Sequence, residues 1–105
     1  MRPLVPWMSQ VDDVLLEWLD EHDIAVTPKV IHVNLDTAVS YSQVNRRLWK
    51  LEQNELVMRD PDLNDYYLIT GLGRKYLQDP DATAEDFPDK SESESQNHAT
   101  SEDGF

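Results

Sequence analysis

The chain contains no cysteine, so neither a disulfide framework nor a thiolate metal site can hold its fold together. Glycine is nearly as scarce. There are three in 105 residues, and Gly71-Leu72-Gly73 is too short a cluster to cradle a phosphate. No apolar run approaches the roughly 20 residues that span a bilayer. The opening Met1-Arg2-Pro3-Leu4-Val5-Pro6-Trp7 lacks the continuous apolar segment of a secretory leader. His22, His32 and His98 have no metal-ligand spacing and read as surface histidines. The carboxylates lie along a helical face rather than as a pair in a pocket, so no enzyme is expected. These absences leave a cytoplasmic protein without cofactor, metal, membrane association or evident small-molecule ligand.

Positive charge is also in short supply: 9 Lys and Arg stand against 21 Asp and Glu, a formal net charge of -12. The imbalance is uneven. Met1 to Gln78 carries 8 basic and 12 acidic residues, whereas Asp79 to Phe105 carries 1 and 9. Between Tyr41 and Arg59 the balance reverses, with Arg46, Arg47, Lys50 and Arg59 against Glu52 and Glu55. An acidic body either repels nucleic acid or reflects a surface adapted to high salt. Few lysines and many aspartates favour the second. At about 1 M salt the Debye length is roughly 3 Å, so remote carboxylates barely act on a contact made elsewhere.

Apolar periodicity then supplies the elements. Val11, Val14, Leu15, Trp18 and Leu19 form a helical stripe behind Ser9, with Asp12, Asp13, Glu17, Asp20 and Glu21 expected on a solvated opposite face to about His22. Ile24-Ala25-Val26 is a short connection or small strand. Thr27-Pro28 starts a second helix, to about Asp36. Ser40 caps a third, in which Val44, Leu48 and Leu51 fall at i, i+4 and i+7. Ser42, Arg46, Trp49 and Gln53 point the other way, and such an outer face suits base edges and phosphates. Two β-prone runs, Leu56 to Arg59 and Tyr66 to Ile69, flank the turn-rich Asp60-Pro61-Asp62-Leu63-Asn64-Asp65. Thr70 caps a fourth helix to about Gln78. Residues 1–78 are therefore expected to form one domain. Residues 79–105 have too little apolar content to offset their ordering entropy and are expected to be a disordered acidic tail.

Helix, helix, helix, hairpin, helix is the order of a winged helix-turn-helix, an α+β and mainly α fold with a two-stranded wing. The resemblance extends to residues. The run from Tyr67 through Thr70-Gly71-Leu72-Gly73-Arg74-Lys75 to Leu77 resembles the wing-to-last-helix signature of the haloarchaeal phage phiH repressor-like family. Pro6-Trp7-Met8-Ser9 with Asp12-Asp13, Thr27-Pro28-Lys29-Val30-Ile31 and Arg46-Arg47-Leu48 resemble that family as well. The resemblance implies a DNA-binding transcriptional regulator from a salt-loving archaeon. It also shows two departures. Glu55 stands where such domains commonly place Gly, which leaves the turn to Asn54. The wing tip carries Asp60, Asp62 and Asp65, so the wing is not expected to enter a minor groove.

The expected function is a repressor-like regulator reading the major groove of double-stranded DNA with helix 40–54, as a homodimer. Ser42, Gln43, Asn45 and Arg46 are the candidate base contacts. Lys29, Ser40, Tyr41, Arg47, Lys50 and Arg59 are the candidate phosphate contacts, with a nearby carboxylate partner as the alternative for Arg47. Trp7 and Tyr76 are the candidate dimer contacts. Trp49 fits stacking on sugar, packing on the wing or a dimer contact alike. The alternative function is a winged helix module that binds protein without specific DNA binding.

Overall fold

In a computed structural model the described residues are 2–91. Helix α1 spans Gln10–His22, α2 Pro28–Asn34 and α3 Tyr41–Gln53. Strands β1 (Val57–Arg59) and β2 (Tyr67–Ile69) pair antiparallel, with Val57 opposite Ile69. Helix α4 (Gly71–Gln78) and a single 3-10 turn, Ala84–Asp86, complete the order. Val26 bridges to Tyr67, so the connection after α1 adds a one-residue third rung to the sheet. This is the winged helix-turn-helix arrangement that the element order predicts.

The stripe of α3 is buried as expected, whereas that of α1 is shifted: Leu16 joins Leu15 and Leu19 in the core, and Val11, Val14 and Trp18 are half-buried. Leu15, Leu16 and Leu19 of α1, Ile31 of α2, and Val44, Leu48 and Leu51 of α3 are fully buried. Val57, Tyr67 and Ile69 close the sheet side. Each N-terminus is satisfied locally. Thr27 Oγ1 accepts from Val30 N–H, Ser40 Oγ from Gln43 N–H and Thr70 Oγ1 from Gly73 N–H. Gly73 is sterically required, because a Cβ there would lie 2.3 Å from the Leu56 carbonyl oxygen. That contact seats α4 against the end of α3.

Three expectations are corrected. The acidic side of α1 is solvated only in part: Glu17 and Glu21 are exposed, but Asp12 is fully buried and Asp13 and Asp20 bond to α4. The turn after α3 is made by Glu55, at φ 69°, and not by Asn54, at φ -98°. Glu55 N–H donates to Glu52 O and Leu56 N–H to Leu51 O, both at 3.0 Å, a Schellman closure that places Glu in the left-handed position usually given to Gly. Asn54 is 2% exposed and serves as a hydrogen-bond hub. Finally, the packed chain does not stop at Gln78. Phe87 is 2% exposed and meets Tyr76 edge-on at 5.6 Å, so Asp79 to Ser91 folds back as a strap. One large aromatic at the right distance anchors a segment whose composition alone reads as linker. The rest of the expected tail, residues 92–105, lies outside the described residues.

Candidate nucleic-acid interface

The outer face of α3 forms because its inner stripe is consumed by the core. Ser42 and Arg46 are exposed, Gln43 and Asn45 half-buried. Ser40 caps the helix with its oxygen at 3.1 Å from Gln43 N and lies 3.4 Å from Ser42 Oγ. Asn45 Nδ2 donates to Tyr41 O at 3.2 Å, which leaves its Oδ1 and second N–H for a base edge. Tyr41 is exposed and meets His32 edge-on at 5.8 Å. Lys29 projects from the first turn of α2. A groove of about 500 Å³ runs between these elements, lined by Lys29, Tyr41, Asn45, Arg59 and Tyr67. The structure thus brings Lys29, Tyr41, Asn45 and Arg59 together, with Ser42, Gln43 and Arg46 on the adjoining helix face.

The remaining candidates Arg47, Lys50, Trp7 and Tyr76, and Arg59 of that groove as well, are engaged by partners within the chain. The Arg47 guanidinium forks onto Asp12, Nε to Oδ1 at 2.9 Å and Nη2 to Oδ2 at 2.5 Å, and Nη2 also reaches the Trp7 carbonyl at 3.0 Å. Hydrogen bonding to Asp12 outweighs desolvation and raises the Arg47 pKa further. A guanidinium so engaged holds α1 to α3 and is not a free phosphate contact. Lys50 Nζ pairs with Asp89 Oδ2 at 3.1 Å and sits 5.9 Å from the Trp7 ring centroid. Arg59 pairs with Glu52 at 3.0 Å and lies over the Tyr67 ring. Trp7 donates its indole N–H to Phe87 O at 2.8 Å, and Tyr76 is 4% exposed with its hydroxyl on Asp13. Both expected dimer residues therefore work within the fold of one chain.

One pattern was not visible in the sequence. Seven of the nine basic residues form carboxylate ion pairs among the described residues: Arg2, Arg47, Lys50, Arg59, Arg74, Lys75 and Lys90. Lys29 and Arg46 have no such partner there. The two unpaired cations lie on the helix-turn-helix, one at the start of α2 and one on the outer face of α3. Partner assignments for the other seven depend on side chains 7 to 54 residues apart in sequence, so no local pattern could have singled these two out. The wing tip is acidic and self-contained. Asp60 Oδ1 accepts from Asp62 and Leu63 N–H, leaving Asp62 and Asp65 exposed.

Asp89 is the second feature that local reading missed. Burial opposes its ionisation, but hydrogen bonds from Ser91, Lys50 and Asn54 prevail and hold its carboxyl down to about 2. Asn54 Oδ1 accepts Lys90 N–H at 2.5 Å, so the strap is fastened to the C-terminal end of α3 by backbone and side chain together. Among the described residues no group of His, Asp or Glu is arranged to hold a metal ion, and no helix is long and apolar enough to cross a membrane.

This geometry agrees with what comparison finds. The family model described as winged helix-turn-helix phage repressor matches residues 1–88. Among solved structures the chain is similar to the PhiH1 repressor-like protein from Haloarcula marismortui. The TM-score is 0.65 at 35% sequence identity, over 73% of this chain and 84% of that one. No curated protein matches.

Proposed function

The chain belongs to the winged helix-turn-helix phage repressor family, and on that premise we propose that it is a sequence-reading transcriptional regulator acting on double-stranded DNA. The observation that carries the reading is the placement of the two cations left unpaired among the described residues. Lys29 and Arg46 flank the first turns of α3, where Ser42, Gln43 and Asn45 present hydrogen-bonding groups. In helix-turn-helix readers those turns enter the major groove. Arg46 donates bidentately to guanine, Gln43 and Asn45 match adenine, and Lys29, Ser40 and Tyr41 set the register on phosphates. Arg59 joins them only by leaving Glu52. Two copies reading an inverted repeat complete the proposal, with a dimer surface other than Trp7 and Tyr76.

Selection of bound sequences from a random DNA pool by the full chain is the test. An enriched motif is expected. Arg46→Ala is expected to weaken the enriched site by about 10-fold and relax preference at one base pair, while Lys29→Ala weakens all sequences alike. Unchanged affinity and preference in Arg46→Ala would sink the assignment. The alternative function, protein binding without specific DNA binding, draws on the neutralisation of Arg47, Lys50 and Arg59 by carboxylates. A pool in which nothing is enriched decides for it.

A further inference from the structure

The chain has three tryptophans, and two have structural work. Trp7 donates its indole N–H to Phe87, Trp18 stacks on His22 at 3.8 Å, and both pack against the core. Trp49 does none of this. It is 37% exposed, lies off the core cluster, and has no hydrogen-bond or ring partner among the described residues. It stands one turn beyond the exposed Arg46, on the face that also carries Ser42. Residues three apart on a helix have Cβ atoms about 5–6 Å apart. Base pairs rise about 3.4 Å each, so the two side chains address base pairs one or two steps apart.

The cations that flank Trp49 on the inner side, Arg47 and Lys50, are held by Asp12 and Asp89. This part of the helix therefore offers DNA a broad apolar surface rather than positive charge. A major-groove edge presents donors, acceptors and one apolar group, the C5-methyl of thymine. We propose that Trp49 is a specificity-determining residue that packs its indole on the methyl of a thymine one or two base pairs from the base read by Arg46. The inference rests on the DNA-reading function proposed above and extends it. An apolar contact of this kind releases no counterions, so salt does not weaken it as it weakens phosphate contacts.

The test uses the full chain and its selected site, with each thymine replaced singly by deoxyuridine, which removes only the methyl. Wild type is expected to lose about fourfold in affinity at one position, the worth of one buried methyl. Trp49→Ala should bind the parent site several-fold more weakly and lose nothing further at that position. Trp49→Phe should retain part of the sensitivity. Trp49 lies off the core, so the thermal midpoint of Trp49→Ala should match wild type. A wild type with no uracil-sensitive position overturns the proposal, as does a uracil profile shared by wild type and Trp49→Ala. Equal weakening on every sequence, random DNA included, overturns it too, because that marks a sugar–phosphate contact. In each of these the DNA-reading function stands. Only failure to enrich any motif removes both.

Discussion

Arg46 and Arg47 are adjacent and chemically identical, and the fold gives them opposite roles. The helix turns about 100° between them, which carries one guanidinium out to solvent and the other onto Asp12 of α1. Asp12 is fully buried and its carboxylate also accepts Ser9 N–H at 2.9 Å. Taking away one partner of a buried ion pair leaves the other charge desolvated, at a cost of about 3–5 kcal/mol. Arg47→Ala is therefore expected to lower unfolding free energy by about 3 kcal/mol, read as a fall in urea midpoint. Arg46→Ala at its exposed position should change it by less than about 0.5 kcal/mol. Equal, small losses in the two variants would show that the Asp12–Arg47 pair does not bind α1 to α3. The sequence allowed Arg47 either a phosphate or a carboxylate, because the choice rests on a residue 35 positions away.

At the level of elements, what was legible is what periodicity and capping determine locally. The stripe Val44, Leu48, Leu51 and the caps Ser40, Thr27 and Thr70 place three helices within a residue or two of their observed bounds. The turn formers from Asp60 to Asp65 mark the wing. What was not legible is non-local. The strap holds one large aromatic, Phe87, whose role appears only once Tyr76 and Trp7 are folded around it. Asp89 then fastens the strap to α3. Its native carboxyl sits at about 2, below the ordinary 3.8, so ionisation favours the folded chain. That contribution is complete above pH 4 and is lost as pH falls toward 2. Asp89→Asn is expected to be less stable than wild type by about 2 kcal/mol at pH 6, with the gap closing between pH 4 and pH 2. Urea midpoints across that range measure it, and a gap independent of pH would remove Asp89's charge from the account.

For the whole molecule, a net charge of -12 and the proposed DNA-reading function are reconciled by where positive charge is left unpaired among the described residues. Counterion release scales with the number of phosphates met by free cations, with a slope of about -0.9 in log affinity against log salt for each. With Arg46 assigned to a base, Lys29 alone gives a slope of about -1 per bound chain, shallow for a DNA-binding protein. Lys50 and Arg59 are held in reserve by Asp89 and Glu52. Freeing both in a Glu52→Gln, Asp89→Asn double variant is expected to steepen the slope to about -3 and to tighten binding at low salt. Wild type and the double variant should converge at high salt, where screening removes the added phosphate contacts and the base contacts of α3 remain. Titrations from low to molar salt on the selected site and on random DNA read both quantities. A wild-type slope already near -3 would mean that Lys50 and Arg59 leave their carboxylates for phosphate on binding. Two unpaired cations would then no longer define the interface.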